Sequence, residues 1–248
     1  MRHTQNPRHS IIIPAYNERK RLPEYLPIWI TAMRLRGESF EILVVDDGST
    51  DGTVEWLREV KRTTPELRIL INRKNSGKGF TVKRGMLAAR GDMRLMADAD
   101  GATPVAEYDN LLAHFDPERH PIAIGIRIPL RGITTVDRDL IRHYIGRISA
   151  TVISIVSGLE YYDTQCGFKM FSASATRKIF PLVRCTKFAF DVEVLLLAEK
   201  FNLPVAEVPV SWREVPGSKV SLWKHIPKGV VDIIKIRARH GRGKFRAF

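Results

Sequence analysis

Arg94-Leu95-Met96-Ala97-Asp98-Ala99-Asp100-Gly101-Ala102-Thr103 is an apolar run that ends in two carboxylates separated by one small residue. The run reads as a strand, and residues two apart on a strand point the same way. At the carboxyl end of such a strand the chain can curl so that both carboxylates converge on one point in a crevice. Two carboxylates there repel each other unless a cation sits between them. A hard divalent ion, Mg²⁺ or Mn²⁺, held by carboxylate oxygens and substrate phosphates fits that need. Asp and Gly are also turn residues, so the triplet taken alone reads first as a solvated turn. The segments on either side decide between the two.

Upstream, Ser10-Ile11-Ile12-Ile13 is a short β-branched run followed by Pro14. It predicts a buried strand that stops where the proline ring forbids further ladder bonding. Pro14-Ala15-Tyr16-Asn17-Glu18 forms the next loop, and a helix follows from about Leu22 to Arg36. Glu41-Ile42-Leu43-Val44-Val45 has the continuous apolar character of a parallel strand covered on both faces. It runs into Asp46-Asp47-Gly48-Ser49-Thr50-Asp51-Gly52-Thr53, where Asp51 or Thr53 is placed to cap a helix reaching about Arg62. Leu67 to Ile71 is a third strand, Asn75-Ser76-Gly77-Lys78-Gly79 opens a helix to about Arg90, and a fourth strand delivers Asp98.

This alternation predicts an α/β fold with an open, mostly parallel, doubly wound sheet and its ligand at the strands' carboxyl ends. The Gly-Lys-Gly loop lacks P-loop spacing, and no G-x-G-x-x-G follows the first strand, which argues against an ATPase and a dinucleotide-dependent redox enzyme. Glycine still lets backbone approach a phosphate, and Lys78 can neutralise one.

Downstream, a helix runs from Thr103-Pro104 to about Phe115, and Ile122 to Arg127 reads as another strand. From Asp137 to Ser157 the chain reads helical, with Arg138, Arg142 and Arg147 early and mostly apolar residues after Ser149. Such a segment suits a lipid surface and equally a surface helix with a buried continuation. Asp163-Thr164-Gln165-Cys166-Gly167-Phe168-Lys169-Met170-Phe171 reads as a turn into a strand.

The 248 residues suffice for one sizeable domain, and 44% hydrophobic content is ordinary for a globular chain. The net charge of +13 is not ordinary and calls for an anionic partner: nucleic acid, a phosphorylated substrate or an acidic membrane. Cys166 and Cys185 are too few for a disulfide scaffold, so a reducing cytoplasm is the default compartment. Met1 to His9 is polar and lacks the apolar core of a secretory signal. No run approaches the roughly 18 to 20 apolar residues that span a bilayer.

Together these pieces resemble the family 2 glycosyltransferases of the GT-A fold, and within them the dolichyl- or polyprenyl-phosphate β-glucosyltransferases. The resemblance rests on the segments from Pro14, Asp46, Asn75, Ala97 and Asp163 quoted above, on Phe190-Asp191-Val192-Glu193, and on Trp212-x-x-Val215-x-Gly217-Ser218-Lys219-Val220. They run in the family's order over nearly the whole chain, and the Asp163 and Trp212 segments are the most specific to the polyprenyl-phosphate branch. Two departures stand out: the amino-terminal membrane helix of the eukaryotic enzymes is missing, and the family's Gly-Ser-Arg is Gly125-Ile126-Arg127 here. The first suggests a bacterial-type enzyme, peripheral on the inner, cytoplasmic face of the membrane.

The resemblance implies one domain, with a nucleotide-sugar half over 10–103, an acceptor half over 104–218 and a basic, helical, membrane-facing tail over 219–248. Pro14, Tyr16, Glu18, Asp46, Asp47, Lys78 and Asp98 would hold a nucleotide sugar, UDP-glucose foremost, and Asp100 would ligate the metal on its diphosphate. UDP-N-acetylhexosamine and GDP-mannose are the alternative donors. The acceptor would be a polyprenyl phosphate, cradled by Arg127, Arg142, Gln165 and Lys169, with Asp98, Asp100, Asp163 and Gln165 as the catalytic set. Asp163, Asp191 and Glu193 would orient that cradle, and Asp191 equally suits a helix cap. In-line attack would invert an α-linked donor into a β-linked lipid sugar phosphate.

The tail's Lys224, Lys228, Lys235, Arg237, Arg239, Arg242, Lys244 and Arg246 are opposed by Asp232 alone, with Val230, Val231, Ile233, Ile234, Ile236 and Trp223 among them. That mixture reads in an arbitrary protein as a docked final helix with a solvated basic tail, and beside a lipid acceptor it fits an anionic membrane surface. A transferase with a soluble acceptor would use the same donor half but give this tail no purpose. Binding to nucleic acid would satisfy the charge but leaves the strand-end carboxylates unexplained, and no helix-turn-helix, zinc-finger or RNA-binding motif is visible.

Overall fold

The computed structural model describes residues 6–130, 134–137, 154–215 and 222–241. Four βα units open the chain: β1 (His9–Ala15), α1 (Leu22–Leu35), β2 (Phe40–Asp46), α2 (Thr53–Thr63), β3 (Leu67–Ile71), α3 (Lys78–Ala88), β4 (Met93–Ala97) and α4 (Glu107–His114). There follow β5 (Ile122–Ile126), the short β6 (Val136–Asp137), β7 (Phe168–Ser172), α5 (Ala173–Ile179), α6 (Phe190–Lys200), β8 (Val205–Pro209), the short β9 (Trp212–Arg213) and α7 (Leu222–His240).

Seven strands form one sheet in the order β3-β2-β1-β4-β7-β5-β8, parallel throughout except for β7, which runs antiparallel to both β4 and β5. The chain winds outward from β1 through β2 to β3, then returns to place β4 on the other side of β1. A crevice opens outside the carboxyl ends at such a switch point. Ala15, Asp46 and Asp98 all stand there, at or just past the ends of β1, β2 and β4. Both sheet faces are covered. Ile11 and Ile13 pack with Trp29 on one side, while Ile12 packs with Val82 and Met86 on the other. This explains why the inner strands read as unbroken apolar runs.

Several expectations needed correction. β1 passes through Pro14 and pairs it with Val45 of β2. The ladder to β4 ends at Ile12 with Met96, so the proline lies where one neighbour has already left and its missing N–H interrupts nothing on that side. α3 begins at Lys78, three residues later than Asn75, because the Ser76 and Gly77 amides turn to Asp47 instead of starting the helix. Gly52 occupies the N-cap of α2, and Asp51 beside it accepts the Thr53 N–H at 3.1 Å. Asp137 lies in β6, paired with Arg213, so the helical stretch read from Asp137 does not include that residue. Residues 138–153, including Arg138, Arg142 and Arg147, lie outside the described residues, as do 216–221 and 242–248.

α7 is docked by Ile233 and Ile236, which join the core on the Ile12 face of the sheet, while Val231 and Ile234 remain exposed. Its apolar residues are thus divided between core and surface. Among the described residues, no helix is long and apolar enough to cross a membrane.

Candidate active site

Three loops meet at the crevice, and each is held by hydrogen bonds that its sequence supplies. Asp46 ends β2 fully buried, with Oδ1 accepting the Gly48 and Ser49 N–H groups at 3.0 and 2.9 Å. Asp47 Oδ1 accepts the Ser76 N–H at 2.9 Å and the Asn72 amide at 2.7 Å, and Oδ2 accepts the Gly77 N–H at 2.8 Å. Both carboxylates therefore shape the loops around the crevice. The Pro14 loop is tied to the same region: Asn17, in a left-handed conformation at φ 54°, donates its N–H to Ser49 and accepts from Thr50. Glu18 makes a two-pronged pair with Arg21 at 2.6 and 2.5 Å, and Tyr16 is exposed at the rim.

Asp98 stands at the centre. Its N–H donates to Gly167 O at 3.0 Å, and its Oδ1 lies 2.6 Å from Lys78 Nζ. Gly167 lies so close that any Cβ there would overlap the Asp98 carboxylate. Burial works against the charge on Lys78, but Asp98 and Asp191 outweigh it and hold the ammonium above its usual range. Asp100 accepts the Ala102 N–H at 3.0 Å. Burial, followed by the charge of Asp98, holds the Asp100 carboxyl above the usual carboxylate range. A cleft of about 260 Å³ opens beside it, lined by Arg21, Tyr25, Asp100, Gly101 and Arg213 among others.

On the β7 side, Arg127 grips Asp163 through Nε at 2.5 Å and Nη2 at 2.9 Å, and its guanidinium lies 5.5 Å from the Trp212 ring centre. Burial disfavours the Asp163 carboxylate, yet Arg127 holds it below the usual range. Gln165 is exposed, and its N–H donates to Asp163 at 3.1 Å. Lys169 is buried in β7, with Nζ 2.6 Å from Cys166 O and 2.5 Å from Asp191 Oδ1. Its charge faces Asp191, behind the crevice. Asp191 is therefore no helix cap; Ala189 holds that position in α6. Glu193 faces Arg184, Cys185, Arg239 and His240, away from Arg127 and Asp163.

The structure thus brings Asp98, Asp100 and Lys78 together and sets the Arg127–Asp163 pair and Gln165 on the adjacent strand-loop. Sequence reasoning overlooked Gly167 and Arg21 as site residues. Gly167 was legible only as a glycine within a motif, and Arg21 as one cation among many. Among the described residues, no group of three or more His, Cys, Asp or Glu side chains is poised to hold a metal. Two hard carboxylates, one of them with its charge disfavoured, suit an ion whose remaining oxygens come from a diphosphate and water. The donor set fits Mg²⁺ or Mn²⁺ with Asp100 as ligand.

The family described as Glycosyl transferase family 2 matches residues 10–180. A Dictyostelium discoideum protein described as Dolichyl-phosphate beta-glucosyltransferase is 37% identical over 93% of this chain and 74% of its own length. A Homo sapiens protein of the same description is 34% identical over 96% of this chain and 77% of its own. Among solved structures, glucosyl-3-phosphoglycerate synthase from Mycobacterium tuberculosis in complex with Mn²⁺, uridine-diphosphate and phosphoglyceric acid superposes with a TM-score of 0.66. At 16% identity, over 95% of this chain and 79% of that one, the likeness is one of fold.

Proposed function

The chain belongs to glycosyl transferase family 2, and from that membership we propose that it moves glucose from UDP-glucose onto the phosphate of a dolichyl or other polyprenyl phosphate. The product is a β-linked lipid sugar phosphate. The observation that carries this reading is the Asp98 carboxylate at the carboxyl end of β4, 2.6 Å from Lys78, with Asp100 two residues on. The descriptions of the Dictyostelium and human relatives supply the acceptor and the sugar, and the uridine diphosphate and Mn²⁺ of the mycobacterial enzyme support the donor and a divalent ion.

Residues 10–103 serve as the donor half, 104–218 as the acceptor half and 219–248 as the basic tail. Pro14, Tyr16 and Glu18 border the nucleotide, while Asp46 and Asp47 hold the loops that surround it. Lys78 fixes Asp98 and presents positive charge toward the diphosphate. A divalent cation at Asp100, Mg²⁺ or Mn²⁺, supplies charge neutralisation for the departing diphosphate. Arg127, Gln165 and Arg142 receive the acceptor phosphate, Arg142 lying outside the described residues. Asp163 fixes the guanidinium plane of Arg127, and Lys169 acts from behind through Asp191. A phosphate monoester with a second pKa of about 6 is largely ionised at neutral pH, so it attacks without a strong base.

The surface of α7 suits a peripheral position on the cytoplasmic face of a membrane. Exposed Val231 and Ile234 lie between exposed Lys228 and Lys235, an apolar strip flanked by positive charge. Anionic lipid, rather than nucleic acid, is the partner that uses both.

The test is incubation with membranes and a panel of radiolabelled nucleotide sugars, followed by extraction of lipid and identification of the sugar phosphate. Label from UDP-glucose in an acid-labile lipid fraction is the expected result. Label only from another donor would replace glucose, and label confined to water-soluble product would remove the lipid acceptor.

A further inference from the structure

Glu193 is a fully buried carboxylate whose two oxygens face different parts of the chain. Oε2 accepts the backbone N–H groups of Arg184 at 2.9 Å and Cys185 at 2.6 Å. Oε1 accepts from Arg239 Nη1 at 3.1 Å and meets His240 Nε2 at 2.7 Å. One oxygen holds the loop before α6, and the other holds the last turn of α7.

That loop packs directly on the turn that carries Lys78. A Cβ at Gly77 would overlap Thr186 O, and one at Gly79 would overlap Cys185 O. Phe80 N–H donates to Thr186 O at 3.3 Å, and Lys83 Nζ donates to Val183 O at 2.7 Å. From the opposite side, Asp47 holds the Ser76 and Gly77 amides. Lys78 therefore reaches Asp98 from a turn clamped between Asp47 and the loop that Glu193 holds.

We propose that Glu193 is a positioning residue that couples the seating of α7 to the placement of Lys78, so that the nucleotide-sugar site is fully formed only when the basic helix is docked. The proposal rests on reading the Lys78–Asp98 crevice as a nucleoside-diphosphate site. The physical ground is that a buried carboxylate must keep its partners. If α7 lifts, Oε1 loses both Arg239 and His240. The carboxylate then turns or draws in water, and its hold on Arg184 and Cys185 loosens. The face of α7 that carries Val231, Ile234, Lys228 and Lys235 points outward. A surface that seats this helix therefore favours the competent donor site.

The full-length chain is titrated with UDP in Mn²⁺ by calorimetry, and donor KM and kcat are measured. The wild type is compared with Glu193→Gln, with an Arg239→Ala/His240→Ala double variant, and with both sets of changes in a Lys78→Ala background. Should Glu193→Gln fail to fold, the double variant on the last turn of α7 carries the test. UDP affinity is expected to fall and donor KM to rise by about three- to tenfold, with kcat at saturating donor within about twofold. In the Lys78→Ala background the same changes should add almost nothing, because they act through Lys78. Unchanged UDP affinity in folded variants, or an equal further loss without Lys78, overturns the coupling. A wild type that binds no UDP removes the reading on which the proposal rests, whereas binding that ignores the variants removes only the coupling.

Discussion

Lys169 and Asp191 form an ion pair at 2.5 Å whose two side chains are 1% and 5% exposed. A lysine that the sequence offers as a phosphate ligand is thus closed off from solvent by its own strand. It reaches the crevice only electrostatically, since Asp191 in turn acts on Lys78. Removing one partner of such a pair strands a buried charge. Lys169→Met should lower unfolding free energy by about 3–5 kcal/mol in urea titrations, and Lys169→Met/Asp191→Leu should recover most of it. A Lys169→Met protein as stable as the wild type would show that the pair is not what holds β7 to α6.

Asp100 carries the metal assignment. Asp100→Asn keeps the size and the acceptor for the Ala102 N–H but removes the charge. Turnover should drop by about 10²–10³, and the enhancement of UDP binding by Mn²⁺, read by calorimetry, should disappear with it. Wild-type turnover in this variant, or in the intact protein under excess chelator, would exclude the assignment.

Gly167 is required because no Cβ fits between its backbone and the Asp98 carboxylate. Gly167→Ala must push Asp98 off Lys78, so activity should fall by at least about tenfold, as displacements near 1 Å do. Gly229→Ala is the control, because a Cβ there meets nothing within 4 Å and the residue lies inside α7. It should leave activity unchanged and stabilise the helix slightly. Equal activities of the two variants would mean that the Asp98 position tolerates displacement.

Exposed Lys228 and Lys235 flank the strip formed by Val231 and Ile234. Replacing either lysine with Ala should weaken sedimentation with anionic liposomes by roughly fivefold. Raised salt should release the intact protein, since the attraction is screened within about 8 Å at physiological ionic strength. Activity toward a short, detergent-soluble acceptor should survive. Binding to neutral and anionic vesicles that is equal in all variants would take α7 out of membrane contact.

The sequence by itself determined the alternation of strands and helices from β1 to β4. β3 runs from Leu67 to Ile71 and α1 begins at Leu22, as the sequence predicts, because apolar runs and the turn residues that bound them are local signals. Asp98 and Asp100 were legible for the same reason: they follow an apolar strand directly, and local pattern fixes where such a strand ends. What local pattern does not encode is pairing across the chain. Pro14 remains within β1 because β4 has already left its side. Lys169 and Asp191 are separated by 22 positions in sequence and meet only when β7 enters antiparallel between β4 and β5. Gly167 matters through one carboxylate far upstream, and Glu193 through a helix that ends 47 residues later. These are contacts between charges and backbone that burial forces to find partners, and only the tertiary packing decides which partners those are.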